Sequence, residues 1–277
     1  MENSIRAVTK MRNGVEIPTI GLGVWQVENE EDMRASCKAA FDAGYWHIDT
    51  AAVYGNEETV GRALKEYGVR KDTFLTTKLW NADHENAEAA LEASLKKLQT
   101  DYIDLYLIHW PAVKKYDKYV EAWKSMVKIY EKGTARAIGV SNFHRHHIEK
   151  VVEATGFVPH MNQVERHPFH QQGGLAEYCR SVGIAVTAYS PLGNNKFPEI
   201  APKVAPLMEK HGKTAAQVIL RWHFQSGWVF IPKSVKPERV LENSQIYGFE
   251  LDGRDMDFMA ALDCGSRLLP DPDEADF

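Results

Sequence analysis

Eight short apolar runs, each followed by a stretch of helical character, limit what this chain can fold into. The runs are "TIGLG" (19–23), "HIDT" (47–50), "FLTTKL" (74–79), "IDLYLIH" (103–109), "ARAIGVS" (135–141), "HMNQVE" (160–165), "AVTAYS" (185–190) and "VFIPKS" (229–234). Near-continuous apolar strands are what a parallel sheet buried on both faces requires. Between them, "ENAEAALEASLKKLQT" (85–100) sets Ala89, Leu91, Leu95 and Leu98 broadly on one face and its Glu and Lys residues on the other. "DKYVEAWKSMVKIYEKG" (117–133) and "TAAQVILRWHFQSG" (214–227) repeat that design and stop at Gly133 and Gly227. No Gly/Ser linker or shift in composition divides the 277 residues. The expectation is one α/β domain over 1–277, a (β/α)8 TIM barrel, with a doubly wound sheet as its competitor. Ahead of the first run, "VTKMRNGVEIP" flanks Asn13-Gly14 with extended segments, the signature of a β-hairpin, expected at the barrel bottom. The tail "GSRLLPDPDEADF" reads as loop.

Composition narrows the function classes. At 44% hydrophobic and 26% charged the chain is ordinary for a soluble globular protein. A net charge of −5 supplies no basic field for nucleic acid or an anionic membrane, so an anionic ligand would need a local cluster of cations. Cys37, Cys179 and Cys264 are odd in number with no CxxC pair, which suits a reducing compartment. The start "MENSIRAVTKMRNG" lacks an apolar signal core, and no apolar run reaches membrane-spanning length. A cytoplasmic monomer acting on a small molecule is expected.

In such a barrel, function collects at the C-terminal ends of the strands. Those ends carry Asp49, Lys78, His109, Ser141-Asn142, Gln163, Tyr189-Ser190 and Lys233-Ser234, with Tyr54 in the loop after Asp49. Any one polar strand end is unremarkable; their convergence on one rim is the signal. A phenol titrates near ~10, and a lysine ammonium beside it is expected to lower that value. A carboxylate opposes loss of the lysine's own proton. With a histidine to hold a carbonyl oxygen, Asp49, Tyr54, Lys78 and His109 form a tuned acid facing an oxygen that gains negative charge. Reduction of a carbonyl by hydride needs that arrangement.

The segments "HIDTAAVYGNE", "TTKLW", "DLYLIHWP", "RAIGVSNF", "NQVERHP", "AYSPLG" and "IPKSVKPERVLEN" resemble, in order and spacing, the aldo-keto reductase family over most of the chain. The brief loop after "SPLG" and the short tail are similar to microbial members, among them 2,5-diketo-D-gluconate reductases, and to protozoan prostaglandin F synthases. The resemblance implies Tyr54 as proton donor, Lys78 and Asp49 as its partners, and His109 as the group orienting the carbonyl. It implies that Ser141, Asn142 and Gln163 hold a nicotinamide carboxamide and that Tyr189 stacks on the ring. Ser190, Leu192 and Gly193 would run along the pyrophosphate. "GLGVWQ" fails the dinucleotide fingerprint, lacking its third glycine. Phosphate recognition falls instead to "PKSVKPERVLEN", where Lys233, Ser234 and Arg239, with Val235 among them, offer two cations and a hydroxyl near a helix start. Glu242 and Asn243 match adenine contacts. The implied cofactor is NADPH.

Trp25, Trp80 and Trp110 follow strands and match positions that line an aromatic substrate cleft, whereas Trp46, Trp123 and Trp222 read as packing. The short tail is expected to leave that cleft broad or shallow, open to aldehydes, ketoaldehydes or keto sugars. Arg166 departs from the apolar or small residue common after "NQVE" in the family, and its direction is not legible in the sequence. Three rival readings stay open. Lys78 permits a Schiff-base aldolase, and a barrel that binds NADPH without turnover is a non-enzyme alternative. "HRHH" (144–147) invites a metal, although the sequence offers it no neighbouring acidic ligands.

Overall fold

The computed structural model describes residues 2–277. The chain opens with a hairpin of β1 (Val8–Lys10) and β2 (Glu16–Pro18), antiparallel with Thr9 opposite Ile17. Eight parallel strands follow: β3 (Leu22–Gly23), β4 (His47–Asp49), β5 (Phe74–Leu79), β6 (Ile103–Ile108), β7 (Ala135–Ser141), β8 (Met161–Glu165), β9 (Ala185–Tyr189) and β10 (Val229–Phe230). From β4 onward each pairs with its predecessor in sequence. The first and last runs are shorter as regular strands than expected, the last one ending before Pro232, which has no N–H for a ladder. They nonetheless join: Phe230 N donates to Thr19 O (2.9 Å), Gly21 N to Phe230 O (3.0 Å) and Gly23 N to Pro232 O (3.1 Å). Those bonds close the sheet into a (β/α)8 barrel.

Helices α1 (Glu30–Asp42), α2 (Glu57–Glu66), α3 (Ala87–Leu98), α4 (Tyr119–Glu131), α5 (Arg145–Thr155) and α6 (Gly173–Ser181) follow β3 to β8 in turn. After β9 come the short α7 (Phe197–Ile200) and α8 (Ala205–His211), then α9 (Ala215–Gln225). After β10 come α10 (Pro237–Ser244) and α11 (Gly253–Ala260). The helix expected over 85–100 begins at Ala87, after a 3-10 turn over Asn81–Asn86. Gly133 and Gly227 end their helices at φ of 77° and 73°, which a side chain would resist.

Strand alternation sorts the side chains into two cores. Ile48, Leu75, Tyr106, Ile108, Ile138, Val140, Val164 and Val186 point outward and pack against the helices. Their neighbours Phe74, Leu105, Leu107, Ala137 and Met161 fill the barrel's interior, where Met11 and Ile17 of the hairpin join them. The hairpin therefore plugs the end at which the strands begin. Gly139 belongs to the inward set, and a Cβ there would lie 2.5 Å from Met161 O, so the barrel is too tight for any other residue. Continuing the inward set toward the far end reaches Asp49, Lys78, His109, Ser141 and Gln163. The period that buries the core thus delivers the polar groups to one mouth.

Candidate active site

Lys78 is fully buried on β5, with its ammonium surrounded by acceptors. Its Nζ donates to Asp49 Oδ1 (2.5 Å), to the Thr50 carbonyl (2.9 Å) and to the Tyr54 hydroxyl (3.5 Å). An ammonium has three N–H donors, and all three are used. The other Asp49 oxygen accepts Gln163 Nε2 (2.7 Å). Tyr54 sits on a 3-10 turn (Ala52–Tyr54) ended by Gly55 at φ 69°, which brings the phenol back over β4 and β5. The His109 ring lies edge-on to Tyr54, 5.6 Å between centroids, and to Trp80 at 5.3 Å. The four residues separated by up to 60 positions in sequence are one cluster.

Its electrostatics differ from the expectation in one respect. Burial raises the Tyr54 hydroxyl above the ordinary phenol range, opposed but not overcome by the Lys78 cation. The phenol is not made more acidic here, because desolvating a phenolate costs more than a long contact with a shared ammonium returns. Burial also works against the Lys78 charge, but Asp49 and Tyr54 outweigh it and keep the amine protonated above its usual range. Burial, then the Lys78 charge, hold His109 well below the usual imidazole range, so its ring is neutral.

From this cluster a cleft of about 870 Å³ extends across the mouth to α10. Asn142, Gln163, Tyr189, Ser190, Leu192, Lys233, Ser234, Arg239, Glu242 and Asn243 all line it, as do Trp25, Trp80 and Trp110. Asn142 adopts φ 62°, its Nδ2 donating to the His109 carbonyl (3.0 Å) and its Oδ1 accepting the Tyr189 hydroxyl (2.7 Å). Tyr189 is thereby held against the cleft floor. Ser234 Oγ accepts Lys236 N (3.0 Å), a turn that leads into α10 with Pro237 at its first position. Neither Lys233 nor Arg239 has a carboxylate within ion-pair reach among the described residues. Two uncompensated cations beside a helix start form a site suited to an anion.

Four expected residues do not face this space. Lys78 stands behind Tyr54; Ser141 lies below Asn142, whose Nδ2 it accepts (3.2 Å). Gly193 turns the backbone at φ 82°, where Ile200 would meet any Cβ at 2.3 Å. Val235 packs on the core outside the barrel and is not a side-chain contact of the cleft, because the turn into α10 points it inward. Trp25 is 41% exposed and forms the rim, while Trp123 and Trp222 are core as expected. Trp46 is half-buried, stacked on Phe41.

The tail contradicts the expectation of an open cleft. Leu269 and Phe277 line it, Phe277 stacking on Trp80 (5.9 Å between centroids, 10° between planes) and meeting Trp110 edge-on at 5.0 Å. Leu268 N and Leu269 N donate to the buried carboxylate of Glu165 (2.7 and 3.0 Å). Asp273 reaches "HRHH", so an acidic group does accompany those histidines: His144 Nδ1, His146 Nε2 and His147 Nε2 lie 3.0, 2.9 and 3.0 Å from its oxygens. The His144 backbone donates to His147 Nδ1, and Arg267 approaches His144 Nε2. The His144 nitrogen that faces Asp273 therefore carries hydrogen and bonds the carboxylate, whereas His147 Nε2 lies beside it without a hydrogen bond. Thr214, Ala215 and Ala216 at the start of α9 also line the cleft and were not anticipated. The Thr214–Gln217 capping box marks that helix start in the sequence, but nothing there says that it faces the site. Arg166 points away from the cleft, between Trp222 (3.7 Å) and Trp228 (4.6 Å).

The model of the aldo/keto reductase family matches residues 19–263. The glyoxal reductase of Bacillus subtilis (strain 168) is 48% identical, covering 99% of each chain. The methylglyoxal reductase DkgA of Escherichia coli (strain K12) is 48% identical over 96% of this chain and 97% of its own. Among solved structures, a Gox0644 mutant in complex with NADPH superposes with a TM-score of 0.92 at 39% identity, covering 98% of this chain and 99% of that one. The Bombyx mori aldo-keto reductase in complex with NADP gives 0.87 at 34% identity over 96% of each. The chain belongs to the aldo-keto reductase family.

Proposed function

We propose that this protein reduces small reactive carbonyls, α-dicarbonyls such as glyoxal and methylglyoxal foremost, to alcohols at the expense of NADPH. One observation carries the mechanism. Every N–H of the Lys78 ammonium is committed, one of them to the Tyr54 oxygen, so the phenol accepts from below and its own hydrogen is left for the cleft. NADPH held in this groove would supply hydride to the carbonyl carbon. Tyr54 then donates its proton to the oxygen that carries the developing charge. Lys78, still cationic, stabilises the phenolate that remains, and Asp49 keeps Lys78 charged. The neutral His109 positions the carbonyl oxygen without competing as an acid.

The cofactor reading is supported by the fit of the groove. Lys233, Ser234 and Arg239 suit a 2′-phosphate, with Arg239 offering a planar fork and a stacking face for adenine. Glu242 and Asn243 lie one turn further along α10. Gln163 spends its amide N–H on Asp49 and keeps its carbonyl for a carboxamide NH₂. The aromatic wall of Trp25, Trp80, Trp110 and Phe277 suits a small, weakly polar substrate. A Schiff-base role for Lys78 asks for a free neutral amine, and an ammonium bound to Asp49 in a fully buried site is a poor source of one. The test is direct: the purified protein is offered glyoxal, methylglyoxal, simple aldehydes and keto sugars while NADPH absorbance is followed. Dicarbonyl-dependent consumption is expected, and its absence across the panel refutes the proposal.

A further inference from the structure

The loop from Tyr189 to Gly193 contains an unusual backbone. Ser190 lines the cleft at φ 48°, a left-handed conformation that a serine adopts only when its surroundings hold it there. The carbonyls on either side of it are each held. Tyr189 O accepts the backbone N–H of Arg166 (3.2 Å), and Pro191 O accepts Nε2 of His223 (3.1 Å). His223 is completely buried on α9, and its other nitrogen, Nδ1, lies 2.7 Å from Nη1 of Arg166. A guanidinium only donates, so Nδ1 must be the acceptor. The neutral ring then carries its hydrogen on Nε2, where Pro191 O accepts it. Arg166 thus holds the Tyr189 carbonyl, just before Ser190, through its own backbone, and the Pro191 carbonyl, one residue beyond Ser190, through His223.

The placement of Arg166 fits this role. Its guanidinium is buried with no carboxylate partner among the described residues. It is held by Trp222 and Trp228 on its faces and by the Gln171 carbonyl at Nε (3.1 Å). Burial and the Arg166 charge together keep His223 neutral. The groups facing His223 are Arg166, the Pro191 carbonyl, and the rings of Trp222 and Phe230. His167 adds a further weak opposition to its protonation. None of these can stabilise an imidazolium as Arg166 opposes it.

We propose that Arg166 is a positioning residue for cofactor binding: by selecting the Nε2–H tautomer of His223 it fixes the Tyr189–Pro191 backbone on which the nicotinamide and pyrophosphate rest. This rests on the reading of the cleft as an NADPH site. Two substitutions separate the roles. Arg166→Met keeps an apolar stem between the two tryptophans and removes the donors. His223→Gln supplies its own N–H to Pro191 O without help, whereas His223→Phe does not. Loss of one buried hydrogen bond predicts NADPH bound about three- to tenfold more weakly by Arg166→Met and His223→Phe, with the loss in KM rather than kcat. His223→Gln should stay close to the parent. In the parent, nitrogen NMR should show His223 protonated on Nε2 with no titration through neutral pH. In Arg166→Met the ring, still buried, should stay neutral but lose its fixed tautomer, so that the Nδ1–H form appears beside the Nε2–H form. Unchanged affinity in Arg166→Met and His223→Phe, or an Nδ1–H ring in the parent, overturns the proposal. If Arg166→Met does not fold, equal affinities for His223→Phe and His223→Gln overturn it alone. A parent that fails to bind NADPH strikes the cofactor reading instead, leaving the His223 tautomer as the separate test of the Arg166 contact.

Discussion

Replacing Tyr54 by phenylalanine removes one oxygen from the centre of the mouth, and the structure sets what that removal costs. The hydroxyl accepts a single long hydrogen bond, 3.5 Å from Lys78 Nζ, while the ammonium keeps Asp49 and the Thr50 carbonyl. The fold should lose no more than ~1 kcal/mol, the scale of one ordinary hydrogen bond. Catalysis should lose far more. A positioned general acid contributes roughly 10²- to 10⁴-fold, equivalent to about 2.7–5.5 kcal/mol of barrier. Water could reach the carbonyl oxygen, but without a cation behind it to hold the conjugate base. The assay is methylglyoxal reduction followed by NADPH absorbance, with NADPH affinity measured separately by titration of protein fluorescence. Turnover should fall by at least about 100-fold, with cofactor affinity within about twofold of the parent, since Tyr54 lies at the reacting end of the cleft. Turnover at the parental rate would show that the proton comes from elsewhere, and the reasoning from the lysine's three acceptors would collapse.

Other expectations concern the cofactor and pH. Arg239→Ala should weaken NADPH by about 10- to 100-fold, the scale of one charge-assisted hydrogen-bond pair, and NADH hardly at all; equal losses in paired titrations would remove the 2′-phosphate assignment. Reduction requires Tyr54 protonated, and burial raises its proton affinity. The reductive kcat/KM should therefore hold through neutral pH and fall only in alkali, where alcohol oxidation improves; a reductive rate that climbs with alkalinity would contradict this. Burial pulls His47, His84 and His160 down to about 4. An unfolded chain protonates its histidines near ~6.5, so it binds more protons than the folded one below that pH. Their contribution is complete above ~6.5 and lost as pH falls toward 4, so thermal unfolding at about pH 4.5 should come at lower temperature than at neutrality. A melting temperature flat over that window would refute it.

Particular elements show how far a sequence of this kind can be read. Apolar runs with a two-residue alternation and helices with a three-to-four spacing are local signals, because neighbours along the chain decide which face each side chain takes. They were enough for the barrel, for the hairpin beneath it, and for the strand-end positions of Asp49, Lys78, His109 and Gln163. The resemblance added roles for Asn142, Tyr189 and the segment from Lys233 to Asn243, nearly all of which line one cleft. The Val235 side chain faces away from the cleft because a turn, set by Ser234 and Pro237, decides which of several adjacent residues faces out.

What the sequence determined by itself is the architecture and the identity of the groups at the mouth, since both follow from periodicity and from residue type. Only the tertiary structure decided the rest. The direction of Arg166, the closing of the cleft by Leu269 and Phe277, and the meeting of Asp273 with His144, His146 and His147 all join residues far apart in sequence. The sign of the Tyr54 shift belongs to the same class. It is a contest between desolvation and one cation, and both depend on distances through space that no spacing along the chain encodes.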